Sequence, residues 1–364
     1  KRQAWNDLHR LTNDQDSGVR ESAASALGSA FSQVPDKKKA WNDLHRLTND
    51  EDSGVRSCAA KALDSACSQV PDEQALTYIH LLTNDEDSSV RESAASALGS
   101  AFSQVPSKRQ AWNDLHRLTN DEDSSVRESA AEALGSAFSQ VPDKKKAWND
   151  LHRLINDKNT NVKLSAISTL GSVFSHAPDK QKAWKELHRL TNDEDSHVRY
   201  RAVHALSSAF SQVPDKEKAW NDLHRLTNDE DSGVRSCAAS ALGSAFSQVP
   251  DKKKAWNDLL RLTNDTIWDV RSKAGSFLGS AFSQAPDKQQ AWNDLHKLTN
   301  DEDSSVRYRA VHALGFAFSQ APDKQQAWNN LHRLTNDQDS NVRSSAVSVL
   351  GSAFSQAPDK QQAW

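Results

Sequence analysis

The chain has 364 residues, of which 36% are hydrophobic and 26% are charged, and its formal net charge is −4. So few hydrophobic residues argue against one large globular core, and the acidic balance gives no general attraction to the phosphates of nucleic acid. The sequence has no apolar run of about 18 residues and no signal-peptide pattern, so it predicts no segment that spans or is targeted to a membrane.

A segment of 36 residues recurs along the chain. Its clearest marker is a tryptophan, found at Trp5, Trp41, Trp112, Trp148, Trp184, Trp220, Trp256, Trp292, Trp328 and Trp364, and Leu76 replaces one copy after a one-residue deletion. The repetition predicts ten units with the approximate ranges 1–35, 36–71, 72–106, 107–142, 143–178, 179–214, 215–250, 251–286, 287–322 and 323–358, and a partial unit at 359–364. We expect residues 1–364 to be a single solenoid and a fragment of a longer array, because both ends are cut from the same helix start.

Each unit begins with a short amphipathic helix. In the second repeat Ala40, Trp41, Leu44 and Leu47 have helical spacing, and Asp36 is placed to cap the helix start. The tryptophan column therefore predicts buried packing rather than a ladder that stacks on a ligand. A Thr-Asn pair ends this helix in most units.

A second helix follows in each unit, after an acidic turn. In the first repeat Val19, Ala23, Ala24, Leu27 and Phe31 fall on one apolar face. The positions one residue before the repeated Val, and two, three and six residues after it, gather on the opposite side and change from unit to unit. We call these positions the variable stripe. A constant core with a changing outer stripe is typical of a scaffold that displays a binding surface.

The pattern x-Val-Arg-x-x-Ala-Ala-x-Ala-Leu-Gly after an Asn-Asp-x-Asp turn resembles the HEAT-like repeat family, including archaeal-type arrays and the repeats of phycocyanobilin-lyase-like proteins. The resemblance implies an all-α fold: a right-handed superhelical α-solenoid of ten stacked helical hairpins, with the second helices on its concave side. It also implies that Asp14, Arg20 and their counterparts form a ladder between neighbouring repeats. Repeat five has Lys163 in place of this arginine and Leu164 on its stripe, so we expect a locally weaker ladder there.

No residues suggest catalysis. Nine histidines, from His9 to His332, occupy one framework position, whereas a catalytic group needs a unique geometry. The acidic turns, such as 84–88, lack the glycine and distal glutamate of a calcium loop, and Gly28 and its counterparts lie inside helices rather than in a phosphate loop. We therefore expect no enzyme, no metal and no cofactor. The three cysteines replace Ser or Phe of other units, which favours free thiols and a reducing, cytoplasmic location.

Two repeats carry large side chains on the variable stripe. The residues predicted to bind a partner are His197, Tyr200, Arg201 and His204 in repeat six, Lys273 in repeat eight, and Tyr308, Arg309, His312 and Phe316 in repeat nine. Tyrosine and arginine are frequent interface anchors, and the two groups should stand about 30 Å apart at roughly 10 Å per repeat. That spacing suits a protein partner better than a small molecule, and His204 and His312 should make binding pH-sensitive near neutrality. The alternative is a solvated face without a ligand.

Ile267 and Trp268 predict a secondary contact site. They lie in a turn that is acidic and polar in the other units, and Ile267 stands where those units have a capping Asp or Asn. The alternative is that Trp268 folds back onto its own repeat.

The sequence thus favours a non-catalytic scaffold for protein partners. Two further hypotheses stay open: the sensor region of a larger signalling ATPase, and an accessory subunit that resembles bilin lyases.

Overall fold

The computed structural model describes residues 2–67, 73–105 and 107–356, and in these ranges every regular element is a helix. Trp364, the partial unit at 359–364 and the unit boundary near residue 71 lie outside the described residues, as do the side chains of Leu76 and Cys67. The described helices form hairpins in the order predicted from the 36-residue period. The chain divides into two compact units, each of which contains several repeats: the first unit is Lys1–Ala183 and the second unit is Trp184–Trp364.

The helices of the first unit are α1 (Arg2–Leu11), α2 (Ser17–Ala30), α3 (Lys37–Leu47), α4 (Ser53–Cys67), α5 (Glu73–Leu82), α6 (Ser88–Ala101), α7 (Lys108–Leu118), α8 (Ser124–Ala137), α9 (Lys144–Ile155) and α10 (Thr160–Val173). Those of the second are α11 (Lys180–Leu190, which begins before the division), α12 (Ser196–Ala209), α13 (Lys216–Leu226), α14 (Ser232–Ala245), α15 (Lys252–Leu262), α16 (Trp268–Ser280), α17 (Lys288–Leu298), α18 (Ser304–Ala317), α19 (Lys324–Leu334) and α20 (Ser340–Ala353). Short 3₁₀ turns such as Phe31–Gln33 follow several second helices.

Capping side chains set the helix ends. The Asp36 carboxylate accepts a hydrogen bond from the Lys39 N–H at 3.0 Å, which satisfies a backbone donor at the start of α3. At the other end the Thr48 hydroxyl donates to the carbonyl of His45 at 2.7 Å. The next helix starts at a second cap, where Asp52 accepts from the Val55 N–H at 3.1 Å. Two caps and a few turn residues per repeat thus produce the hairpin.

The apolar faces are buried as the periodicity predicts. The framework tryptophans of the described residues are at most 7% exposed, apart from the half-buried Trp148, so the prediction of packing is confirmed. Within each unit the second helices pack on one another in succession. Glycine allows this close approach: a Cβ at Gly28 would lie 2.7 Å from the Cα of Ala62 on the next second helix.

Repeat eight exchanges side-chain volume with its neighbours. A Cβ at Gly243 would lie 2.0 Å from Cγ of Phe277, so the Phe277 ring of α16 fills the space above that glycine of α14. Elsewhere on α16, Gly275 leaves room for Leu298, whose Cδ1 would lie 2.6 Å from an added Cβ. The replacement of two alanines by Gly275 and Phe277 therefore keeps the core filled, as volume-conserving exchanges do.

An arginine on most second helices links its repeat to the next one. In the example of α16, Arg271 donates through Nε and Nη2 to both carboxylate oxygens of Asp301, at 2.7 Å each, and through Nη1 to the carbonyls of Asp265 and Thr266. The pairs are Arg20–Asp50, Arg56–Asp85, Arg91–Asp121 and Arg127–Asp157 in the first unit, and Arg199–Asp229, Arg235–Asp265, Arg271–Asp301 and Arg307–Asp337 in the second. This confirms the ladder that the resemblance implied.

The repeated histidine is a framework residue, and it has a partner in the next repeat. His9 Nδ1 lies 2.6 Å from Asp43 Oδ2, and the same geometry recurs in the pairs His80–Asp114, His116–Asp150, His188–Asp222 and His224–Asp258. An arginine three residues after the aspartate reaches back to the preceding repeat, as Arg46 does when it donates to the Thr12 hydroxyl at 2.8 Å. These contacts hold the first helices in register.

Candidate functional site

The repeat-six group lies on the surface of α12. His197, Tyr200, Arg201 and His204 are all exposed, and Tyr200 is 39% exposed. The Tyr200 ring lies beside α14, where a Cβ at Gly233 would be 3.8 Å from its Cδ2 atom. Gly233 has no side chain that could contact this ring.

The repeat-nine group forms a small aromatic cluster on α18. The rings of Tyr308 and His312 meet edge to face with centroids 4.7 Å apart, and the Arg309 guanidinium lies 5.6 Å from the centroid of the Tyr308 ring. Phe316, farther along the helix, is 70% exposed. Side chains of this size on a solvent-facing stripe are candidates for interface anchors.

His312 differs from the expectation for a pH sensor at neutrality. Its Nε2 atom is buried and has no hydrogen-bond partner. Burial, and then the nearby charge of Arg309, lower the pKa of the His312 imidazole below its ordinary value. Both effects favour the neutral imidazole and move its titration towards more acidic solution.

Ile267 and Trp268 stand on the surface at the start of α16. Their exposed fractions are 40% and 46%, so Trp268 is not folded into the core of its repeat. Ile267 occupies the N-cap position and provides no capping hydrogen bond, whereas Asp303 at the start of α18 accepts one from the Ser305 N–H at 2.8 Å. The departure of repeat eight from the polar turn of the other units is thus visible in the structure.

A cavity of about 410 Å³ opens between the first turns of α16, α18 and α20. It is lined by Trp268, Asp269, Ser272 and Lys273 from repeat eight, Ser304, Ser305, Tyr308 and Arg309 from repeat nine, and Asp339 and Asn341 from repeat ten. The structure therefore brings Trp268, assigned by sequence to a separate secondary site, together with three residues of the main predicted surface. The repeat-six group, Ile267, His312 and Phe316 do not line this cavity.

Sequence reasoning missed part of the lining. Ser304 and Ser305 are common residues at their repeat positions, and Asp339 was visible only as a helix cap. These residues line the cavity because the first turns of α16, α18 and α20 lie side by side, and a single repeat does not show this. The signal available in the sequence was the departure at Trp268, where the other second helices begin with Ser or Thr.

Cys237 lies between the two basic parts of the stripe. Burial raises the pKa of its thiol to about 12, although the charges of Arg201 and Lys273 favour the thiolate. A thiol with such a pKa is a poor nucleophile. Arg201, Cys237, Lys273 and Arg309 occupy the same position in four consecutive second helices and so form one row across the second unit.

Within the described ranges, no three His, Cys, Asp or Glu side chains gather in a way that could hold a metal ion. Cys58 and Cys237 are free thiols. Among the helices of the described part of the chain, none combines the length and the apolar character that a membrane crossing requires.

These features define an all-α repeat protein built as an α-solenoid of helical hairpins. A family model described as HEAT repeats matches residues 7–99, 77–147, 149–243 and 187–279, which together cover more than half of the chain. The chain therefore belongs to the HEAT repeat family. A second model, described as sister chromatid cohesion protein PDS5, matches residues 249–364.

Two solved structures illustrate what this chain is similar to. The crystal structure of an engineered protein is 25% identical, with 95% of this chain and 98% of that chain covered and a TM-score of 0.49. A structure of Kap95p binding to RanGDP contains a chain that is 16% identical, with 96% of this chain and 52% of that chain covered and a TM-score of 0.68. The latter similarity supports the solenoid fold, and this chain spans about half of the length of the chain that it matches there. No curated protein matches the sequence.

Proposed function

We propose that this chain is a non-catalytic scaffold that binds a protein partner on the variable stripe of its second unit. The principal contacts come from Trp268, Lys273, Tyr308 and Arg309, with Tyr200 and Arg201 farther along the stripe. The observation that carries the proposal is the cavity, because it gathers two aromatic and two cationic side chains where other repeats have mostly smaller or acidic ones. Aromatic residues and arginine are enriched at the energetic centres of protein interfaces.

The packing of the second helices supports this choice of surface. They form the more closely packed layer within each unit, and the closer layer of a curved stack faces inwards. HEAT repeat solenoids are typically interaction scaffolds, and the chain of similar fold belongs to a structure in which Kap95p binds RanGDP. No observation favours an ATPase sensor or a bilin-lyase-like subunit.

The repeats themselves suggest a variant that removes the site without disturbing the fold. Serine occupies the positions of Trp268, Lys273, Tyr308 and Arg309 in other repeats, for example Ser232 at the position of Trp268. A quadruple serine variant should therefore fold like the parent chain. Glu92→Ser with Glu128→Ser is a matched control, because both glutamates lie on the stripe of the first unit at the position that corresponds to Tyr308.

The test is quantitative affinity capture from cell extract with the parent, quadruple and control chains, followed by a titration with the purified partner. We expect the quadruple variant to bind the captured partner more than about 30-fold more weakly, which corresponds to about 2 kcal/mol, and the control to bind like the parent. Equal binding by the quadruple variant would show that the stripe is a solvated face.

A further inference from the structure

The charges in the cavity are not equally available to a ligand. Asp269 accepts a hydrogen bond from the Ser236 hydroxyl, and Asp339 accepts from the N–H groups of Asn341 and Val342 at 2.8 and 3.1 Å. Lys273 and Arg309, in contrast, form no ion pair with any described carboxylate. The cavity thus offers two cations without a described carboxylate partner, one of them over the Tyr308 ring, beside two carboxylates that already have donors.

This arrangement favours an occupant with separate negative charges over a polyanion. The four ionic side chains sum to zero formal charge, so a polyanion such as a nucleic acid strand would be repelled by Asp269 and Asp339. Separate carboxylates at Lys273 and Arg309 would gain an ion pair each. An ordinary acidic peptide meets this condition.

The apolar part of the lining adds a second requirement. Trp268 is 46% exposed at the cavity edge, and the half-buried Tyr308 forms part of its wall. A ligand that covers the indole of Trp268 removes a large apolar area from water, at about 25 cal/mol per Å². The occupant should therefore carry an aliphatic or aromatic side chain close to its carboxylates.

Helix spacing sets the distance between the carboxylates. Lys273 and Arg309 occupy equivalent positions on α16 and α18, and these helices are in close contact where a Cβ at Gly279 would lie 2.3 Å from the Cα of Ala313. Packed helices lie about 8 to 10 Å apart, and an extended peptide rises about 3.3 Å per residue. The distance from one second helix to the next therefore corresponds to about three residues of extended chain.

We infer that the occupant is an extended acidic segment of the partner protein. Two Asp or Glu residues about three positions apart contact Lys273 and Arg309, and an adjacent apolar side chain covers Trp268. A third acidic residue, about six positions from the one that contacts Lys273, reaches Arg201, which lies two second helices before Lys273. This inference rests on the proposed function and specifies the chemistry of its partner.

The test begins with a phage-displayed library of random dodecapeptides selected on the full chain. We expect enriched sequences with two acidic residues three positions apart and a neighbouring Leu, Phe or Trp. Enrichment of basic sequences, or of sequences without an acidic pair, would overturn the inference. The proposed function would then still stand if the captured protein partner were lost in the quadruple variant.

A fluorescein-labelled copy of the most enriched peptide is then titrated by fluorescence anisotropy. Lys273→Ser with Arg309→Ser should weaken binding at least tenfold, and Trp268→Ser should weaken it at least fivefold. Glu92→Ser with Glu128→Ser should bind like the parent, because both glutamates lie on the stripe of the first unit and neither lines the cavity. An acidic peptide that binds all variants equally, or that inorganic phosphate displaces at equal concentration, would contradict the assignment of the cavity.

Discussion

Removal of one ladder arginine should strongly destabilise the second unit. In Arg271→Ala, the Asp301 carboxylate loses two hydrogen bonds of 2.7 Å and two backbone carbonyls lose the Nη1 donor. The side chains of the pair are only 9% and 11% exposed, so water cannot fully replace the guanidinium. Breaking a buried ion pair by removing one partner costs about 3 to 5 kcal/mol, and the slight exposure places this case near 3 kcal/mol.

Arg271→Lys separates charge from geometry. Lysine keeps the positive charge but lacks the planar fork that contacts both carboxylate oxygens and the two carbonyls together, so we expect a loss of about 1 to 2 kcal/mol. Repeat five already carries Lys163 at this position. Arg201→Ala is the control, because Arg201 is exposed and makes no ladder contact.

Hydrogen exchange followed by mass spectrometry is the appropriate assay, because arrays unfold in segments and a single midpoint is not a well-defined free energy. Peptides from α16 and α18 should lose protection by a factor on the order of 100 in Arg271→Ala, while those from α12 change less. A loss below about 1 kcal/mol, or one equal to that of Arg201→Ala, would refute the structural role assigned to the ladder.

Three further predictions follow from single contacts. In the hydrogen-exchange assay, Ile267→Asp should stabilise the α16 segment by about 1 kcal/mol, because it restores a missing N-cap, and no gain would argue against the uncapped start of α16. Gly243→Ala should destabilise by more than about 1 kcal/mol, because the added Cβ would overlap Phe277. At Gly351 an added Cβ would meet no atom of another described element within 4 Å, so Gly351→Ala should be neutral or stabilising by up to about 1 kcal/mol in the same assay. The ladder aspartates Asp265 and Asp301 should make stability fall below about pH 4. Burial raises the pKa of these two carboxyl groups, but the arginine and backbone donors outweigh it and bring the pKa below the ordinary value of an aspartate. The two aspartates therefore stabilise the fold fully above the ordinary pKa, and this stabilisation is lost as the pH falls and they gain protons. Urea midpoints unchanged between pH 5 and pH 3 would contradict this.

The 36-residue period predicted the helices, their order and their buried faces, because each of these features depends on local spacing. It also predicted that the nine histidines belong to the framework. Their partners could not be read from one repeat, since His9 meets Asp43 only after two hairpins stack. The long-range pairing is a property of packing rather than of helix periodicity.

The candidate site was predictable only in part. The large side chains at Tyr308 and Arg309 were evident because most other repeats have smaller or acidic ones at these positions. The cavity that joins them to Trp268 depends on how far apart α16, α18 and α20 lie. Gly279, which faces Ala313, and Gly315, which faces Val349, set part of that distance. Trp268 could not be assigned to the same surface from the sequence, because it lies one residue before Asp269, the first position of the variable stripe in repeat eight.

Site-specific photocrosslinking would test the proposed surface most directly. Ser305→p-benzoylphenylalanine places a photoreactive group at the cavity, and Ser89→p-benzoylphenylalanine places it at the equivalent exposed position of the first unit. Irradiation with the captured partner should crosslink it to position 305 and not to position 89, and mass spectrometry should locate the crosslink in an acidic, extended segment of the partner. Crosslinks that are equally frequent at both positions, or that form only at position 89, would contradict the account.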